Sequence, residues 1–355
     1  MKKDQLEFLK TLLAAHGPSG YEETIRAAWR KRVEKFADTV TTDVMGNCIA
    51  TLNPNGSPKV LLAGHCDEIG FQVSHIDDKG FLFFRQIGGH DLSIVPGRRV
   101  LIHTHKGPLA GVTGKKAIHL MSPEDRKKVP EVHELWIDIG AKDKDEAASL
   151  VELGDSVTHD LGYQELRNNL VASRALDNRT GAFVAAETLV TLARGKGKLA
   201  ACVVAVATVH EEIGLRGAIT AAYGTNPDIG ICIDVTHATD SPGLDPKKDG
   251  VVKLGAGPSL TRGAAVNAKL TRHLIELAKN EKIPYQIEAN PGRVGNDTWS
   301  IQVARAGVTT ADIGIPLRYM HTPSEVGSLE DLAAAVKLLS AFCGGLKKGA
   351  RFGVE

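Results

Sequence analysis

At 355 residues the chain is long enough for one large domain with an appendage, or for two domains, and it can bury a sizeable core. Its 43 Lys and Arg against 42 Asp and Glu leave a net charge of +1, so there is no basic excess to serve a phosphate backbone and nucleic acid is excluded as the main partner. No apolar run approaches the roughly 18 residues of a membrane span, and a hydrophobic content of 43% is that of an ordered globular chain, which sets aside the membrane and disordered classes.

The chain opens on a predicted helix. Asp4 and Glu7 interrupt the basic start, and Leu6, Leu9, Leu12 and Leu13 recur at helical spacing, which is not the pattern of a secretory signal. Gly17-Pro18-Ser19-Gly20 ends this helix; a second is expected over 22–36 and a hairpin over 39–52. Residues 59–64 form a short continuous apolar run, the signature of a strand buried on both faces. From 70 to 164 the texture changes. Strands are expected at 71–76, 81–87, 99–104, 109–113, 134–139 and 155–159, with one helix at 144–150, as in a small all-β barrel or sandwich. Beyond Asn169, helices over 181–193, 267–280, 297–306 and 329–342 alternate with apolar strands over 200–209, 229–233 and 309–315. That alternation marks a mostly parallel sheet flanked by helices. The expected architecture is therefore an α/β domain, residues 1–69 and 165–355, interrupted by a β-rich insert, residues 70–164.

Five cysteines, Cys48, Cys66, Cys202, Cys232 and Cys343, are odd in number and lack a C-x-x-C pair. They read as reduced thiols, without a disulfide framework or a thiolate zinc site, and with a helix in place of a signal pattern at the start, cytoplasm is the expected location.

In open parallel sheets, ligands bind beyond the carboxyl ends of the strands. His65 and Asp67 follow the apolar run 61–64; His210, Glu211 and Glu212 follow 201–209; Asp234 follows 231–233; His321 follows 313–316; and Asp177 precedes a helix start near Thr180. Each alone reads as a cap or a solvated loop residue. Together they would crowd carboxylates at one edge, where like charges raise each other's pKa unless cations compensate. Imidazole and carboxylate ligands without thiolate suit Zn, Co or Mn. Other signals are weaker. His210-Glu211-Glu212-Ile213-Gly214 lacks the second histidine of H-E-x-x-H, and Gly255-Ala256-Gly257-Pro258 lacks the Lys-Ser/Thr of a phosphate loop. Cys66 would point to the opposite strand face from His65 and Asp67, as a core thiol. His103 and His105 read as surface residues of the insert.

Five ordered motifs carry a resemblance. Gly64-His65-Cys66-Asp67-Glu68-Ile69-Gly70, Ala175-Leu176-Asp177-Asn178-Arg179, Glu211-Glu212-Ile213-Gly214-Leu215-Arg216-Gly217-Ala218, Asp234-Val235-Thr236-His237-Ala238-Thr239-Asp240 and Tyr319-Met320-His321-Thr322-Pro323 resemble those of the tetrahedral (TET) aminopeptidases, a family that includes glutamyl and deblocking aminopeptidases. The likeness spans essentially the whole chain. It implies a zinc-peptidase-like fold and two divalent metal ions per chain, Zn, Co or Mn. By motif, His65 and Asp234 would hold one ion, Glu212 and His321 the other, and Asp177 would bridge both. Glu211 would be the catalytic general base, Asp67 would support the ligating groups, and the Asp177–Asn178 peptide would be cis. The reading of the residues agrees on Asp67, which shares a strand face with His65.

The resemblance further implies hydrolysis of N-terminal residues from peptides with free N-termini. It also implies a dimerising role for the insert and a homo-oligomer, up to a tetrahedral dodecamer, with no nucleic-acid or membrane partner. His210 stands where many relatives carry Gln, and on a strand it would face away from Glu211. Rival readings are a dinuclear-metal amidohydrolase or deacylase acting on a non-peptide substrate, and a catalytically inactive assembly or peptide-binding protein. The preferred N-terminal residue would be set by loops around 244–262 and 290–296, where Arg262 or Arg293 could favour an acidic side chain or could simply be solvated.

Overall fold

The continuous apolar runs become the centre of an eleven-stranded sheet. In the computed structural model, which describes residues 1–195 and 197–353, four parallel strands lie side by side in the order Cys202–Thr208, Lys59–His65, Ile229–His237 and Thr309–Arg318. Successive side chains on these strands enter different cores. Val60 and Leu62 pack with the helices Lys3–Ala14, Glu23–Val33, Leu176–Arg194, Ala268–Asn280 and Leu329–Gly345, whereas Leu61 and Ala63 pack with Arg216–Thr225 and Asp297–Gln302. Burial on both faces is why no apolar-polar alternation is visible in these strands. The hairpin Thr39–Thr42 and Cys48–Leu52 extends one edge; Glu325–Ser328, Leu170–Ser173 and Gln164–Glu165 extend the other, antiparallel. Ser259–Gly263 branches from Thr309–Arg318 and pairs in parallel with Gln286–Asn290.

Two glycines set the distance between the long central helix and the sheet. A Cβ at Gly64 would overlap the backbone of Gly181 and Ala182, and a Cβ at Gly181 would overlap the carbonyl of Ile233. The start of Leu176–Arg194 can therefore press against the ends of the strands that carry His65 and Asp234. Trp29, fully buried, clamps the same helix by donating its indole N–H to Ala182 O at 2.8 Å.

The β-rich stretch closes into a six-stranded antiparallel barrel. Its order is Gly70–Ile76, Leu82–Ile87, Trp136–Asp138, Gly107–Gly114, Arg99–Thr104 and Ser156–His159, with a separate core that includes Phe71, Phe84, Ile102, Ile137 and Val157. At its root, Glu68 is buried between Arg174 and Arg179 and accepts the Gly17 amide at 3.1 Å. Chain entry and chain exit are thus joined by one ionic knot.

Several expectations shift in detail. The helix expected from 181 starts at Leu176, and four strands not among those expected, Leu170–Ser173, Ser259–Gly263, Gln286–Asn290 and Glu325–Ser328, are short segments at the margins of the sheet. His103 is not a surface residue: it stacks on His16 with ring centroids 3.9 Å apart and its Nε2 lies 2.8 Å from Thr158 Oγ1. Burial, with His16 adding, pushes its pKa down to about 4. His105 does stay exposed, facing Glu152. All five cysteines are free and buried, and among the described residues no helix is long and apolar enough to cross a membrane.

Candidate metal centre

Four strand ends and one helix start converge on a single edge of the sheet. His65 is the last residue of Lys59–His65, Asp234 lies in the outgoing half of Ile229–His237, and Glu211 and Glu212 stand just past Cys202–Thr208. Asp177 sits in the first turn of Leu176–Arg194, where Asp177 and Asn178 leave helical geometry and are joined by a cis peptide, as the family resemblance implies. His321 follows Thr309–Arg318 in a turn where Tyr319 and His321 both adopt positive φ, 62° and 59°. Such left-handed backbone is uncommon outside glycine and turns the imidazole back over the sheet.

The distances define a compact cluster. His65 Nε2 lies 3.2 Å from Asp177 Oδ1, 3.7 Å from Asp234 Oδ1 and 3.8 Å from Glu211 Oε2. His321 Nε2 lies 3.2 Å from Asp177 Oδ2 and 3.4 Å from Glu212 Oε2. The two oxygens of Asp177 therefore each face a different imidazole. Ligand atoms of His65, Asp177 and Glu212, and likewise of His65, Glu211 and Asp234, lie within 4.8 Å of one another, so either trio could hold a metal ion.

The cluster is electrostatically unbalanced. Burial pushes Glu211 up to about 10, with Asp234, Asp297 and Glu212 adding against the pull of His65. Burial and Asp177 raise Glu212 well above the carboxylate range, and burial does the same for Asp234, with Asp177 and Asp297 adding. Burial also opposes the charge of His65, but Asp234 and Glu211 override it and raise its pKa well above the usual value. For Asp177, burial is outweighed by hydrogen bonds with His321 and His65, and its pKa falls. Arg293 is the sole Lys or Arg among the described residues lining the surrounding cavity of about 510 Å³. Oxygen and nitrogen donors packed this tightly, with so little fixed positive charge, fit divalent cations.

Asp67 touches the cluster from behind. Its Oδ1 accepts the Glu211 amide and its Oδ2 the Glu212 amide, both at 3.2 Å, and Oδ2 also accepts the Ser19 hydroxyl at 2.7 Å. The backbone carbonyl of Asp67 accepts from His65 Nδ1 at 3.1 Å, which fixes the tautomer and leaves Nε2 to face the carboxylates.

Three positioning groups escape sequence reasoning. Glu325 accepts the amides of Asp177 at 3.0 Å and His321 at 2.9 Å, and burial, with Asp177 adding, pushes it up to about 8. Asp297 accepts the Thr208 hydroxyl at 2.6 Å and is pushed up to about 6 by burial. Asp312, also buried, accepts from Thr261, Asn296 and Thr298. The available signal is weak: each is a lone carboxylate with no other acidic residue beside it in sequence.

His210 is not on a strand. It adopts φ 57°, its amide donates to Glu22 at 3.3 Å and its Nε2 lies 3.4 Å from the same carboxylate, so it packs outside the ligand cluster. Cys66 is a buried core thiol. Arg262 is exposed and outside the cavity, whereas Arg293 lines it and lies over the Trp299 ring, 5.2 Å from its centroid. Of the two expected specificity loops, Asn290 and residues 293–296 contribute to the lining, and from 244–262 only Thr261 does.

The profile of the M42 glutamyl aminopeptidase family matches residues 46–338. The chain is 34% identical over 344 residues to the lysyl aminopeptidase of Pyrococcus furiosus, an alignment that covers 96% of this chain and 97% of that one. Its structure is similar to the TET aminopeptidase of a marine-sediment archaeon of the Thaumarchaeota, with a TM-score of 0.92 and 34% identity over 97% of this chain and 96% of that one. It is also similar to the TET1 peptidase of Pyrococcus horikoshii, which can assemble into a tetrahedron or a large octahedral shell, with a TM-score of 0.85 and 33% identity over 96% and 100% of the two chains. A family match over most of its length, relatives aligned from end to end, and the shared TET fold mean that the chain belongs to the M42 glutamyl aminopeptidase family, the TET aminopeptidases, and is a metal-dependent aminopeptidase.

Proposed function

We propose that this aminopeptidase works through a pair of divalent cations, Zn, Co or Mn, with His65 and Asp234 on one, Glu212 and His321 on the other, and Asp177 between them. The observation that carries this reading is Asp177, whose two carboxylate oxygens each lie 3.2 Å from a different imidazole. A bound pair would acidify a shared water and polarise the scissile carbonyl.

Glu211 then serves as the general base. It is adjacent in sequence to one proposed ligand, lines the cavity, and is held by its own amide on Asp67; bound cations would offset the burial and neighbouring carboxylates that raise its pKa, leaving a carboxylate that can take a proton from the attacking water and return it to the leaving amine. The carboxylates of the centre also present negative charge to a free α-amine, which suits removal of N-terminal residues rather than cleavage within a chain. We extend the tetrahedral and dodecameric assemblies of such relatives to this chain: residues 70–164 would form the dimer contact, residues 1–69 and 165–355 the catalytic domain, and dimers would build a homo-oligomer as large as a tetrahedral dodecamer. The five free buried thiols suit a reducing cytoplasm.

Metal analysis and turnover of aminoacyl p-nitroanilides test the centre together. After loading and washing, the protein should carry close to two ions per chain. Glu211→Gln should keep them and lose roughly 10² to 10⁴ in turnover, whereas Glu212→Gln should lose one ion and regain part of its activity in excess metal. An active Glu211→Gln beside a Glu212→Gln that retains both ions would overturn the assignment.

A further inference from the structure

The cavity floor beyond the cluster is laid down by four neighbouring strands. Asp234 and Thr236 stand two apart on Ile229–His237, hence on one face and roughly 6.6 Å from each other at about 3.3 Å per residue. In register, Asp234 lies beside Gly314 of Thr309–Arg318, and Gly314 lies beside Ser259 of Ser259–Gly263. A Cβ at Gly314 would stand 2.5 Å from Ser259 Oγ and 2.9 Å from Thr236 Cβ. With glycine there, Thr236 can reach across Thr309–Arg318 to the side of Ser259, and the two hydroxyls meet a common acceptor on the strand beyond.

That acceptor is Glu288 of Gln286–Asn290. Thr236 Oγ1 donates to Glu288 Oε2 at 2.8 Å, and Ser259 Oγ donates to the same oxygen at 3.1 Å. Both donors hold Oε2, so Oε1 has no donor among the described residues. Glu288 is half-buried, lines the cavity, and has no ion-pair partner among the described residues. The neighbouring carboxylate, Asp312, differs: its oxygens already accept from Thr261 at 2.7 Å, Asn296 at 2.9 Å and Thr298 at 3.2 Å. Arg293, the cation that lines the cavity, is stacked on Trp299 and pairs with no described carboxylate.

We propose that Glu288 is the specificity-determining residue of the aminopeptidase and selects peptides whose first residue is Lys or Arg. This rests on the aminopeptidase reading of the same centre. With the peptide's α-amine at the ligand cluster, its first side chain would run over Gly314 toward Thr236, two residues along the strand from Asp234 and hydrogen-bonded to Glu288, a span that suits the long stem of Lys or Arg. The ammonium or guanidinium then meets a free carboxylate oxygen whose orientation is already fixed, a charge-assisted hydrogen bond. An acidic first residue would place like charges together, which costs affinity. The wall formed by Glu288 and Asp312 is therefore acidic, and it inverts the preference that an arginine in the lining would suggest by itself.

Aminoacyl coumarin amides of Lys, Arg, Leu and Glu, assayed on the full metal-loaded chain, test the proposal. The expected kcat/KM order is Lys and Arg above Leu, with Glu lowest. Glu288→Gln keeps an acceptor for Thr236 and Ser259 while removing the charge, so the Lys-to-Leu ratio should fall roughly 10- to 100-fold, and Glu288→Lys should reverse the order of Lys and Glu. Turnover of Leu or Glu in preference to Lys, or an unmoved ratio in Glu288→Gln, overturns the role of Glu288 and leaves the aminopeptidase intact. Failure to cleave any of the four overturns both.

Discussion

Replacing Asp67 with Asn probes the framework behind the proposed ligands rather than those ligands themselves. Asp67 is fully buried, and burial opposes its charge, but His65, Ser19 and the Glu211 amide hold its pKa below the usual value, so the folded protein carries it as a carboxylate. Its two oxygens serve two backbone amides and a hydroxyl, and His65 Nδ1 lies 3.4 Å from Oδ1. Asn keeps the shape but has one acceptor oxygen. One of the Glu211 and Glu212 amides must then face an NH₂ group, and the other loses a charged acceptor.

The magnitude follows from those contacts. Leaving a buried amide without an acceptor costs about 1–3 kcal/mol, and exchanging a charged for a neutral acceptor costs a further fraction of the about 1.5–3 kcal/mol such bonds contribute. A total near 2–3 kcal/mol corresponds to a fall in Tm of about 4–12 °C at roughly 2–4 °C per kcal/mol for a domain of this size. Because the same amides aim Glu211 and Glu212, metal affinity or activity should drop roughly 10- to 100-fold. Calorimetry of the metal-free protein reads the first effect and titration with Mn or Zn reads the second. Ser19→Ala, which removes one donor and leaves the carboxylate, should cost about 1 kcal/mol and little affinity. If Asp67→Asn binds metal like the parent, the carboxylate does not hold the Glu211-Glu212 turn in place and the reasoning fails.

Asp177→Ala should weaken both metal positions, because the same carboxylate faces both imidazoles; two retained ions per chain would refute its bridging role. A pH effect is expected from His159, which is 8% exposed, lies edge-on to Phe71 with its Nδ1 unpartnered, and is pushed down to about 4 by burial, with His90 adding. The unfolded chain binds this proton more tightly, so the stabilisation is complete above pH 6.5 and is lost as pH falls toward 4, by up to about 3 kcal/mol at 1.36 kcal/mol per pH unit. Urea unfolding of the parent should therefore lose more stability across this range than His159→Phe, and identical slopes would count against the buried imidazole as the cause.

What is legible in the sequence divides along a physical line. His65, Glu212, Asp234 and His321 can be found because a parallel sheet delivers whatever follows each apolar run to the same edge, and the runs are continuous because both faces are covered. The barrel is legible for a related reason, since its hairpin turns and alternating strands are local patterns. Glu325, by contrast, supports Asp177 across 148 residues of chain, and Asp297 meets Thr208 across 89. Nothing local distinguishes such a carboxylate from a helix cap or a solvated edge residue. Gln286–Asn290 alternates half-buried and exposed positions on a peripheral strand, so its period carries little signal, yet it bears Glu288. His103 and His210 fail in the same way: strand alternation says which side a residue takes but not that His16 waits on that side, nor that the chain turns left-handed at His210. Local period therefore locates the groups that would meet the cations, whereas the carboxylates that aim them, and the one we assign to the substrate, become visible only once distant segments are packed together. Substitutions at Glu325 or Asp297 should accordingly disturb the geometry of the centre without removing any of its ligands.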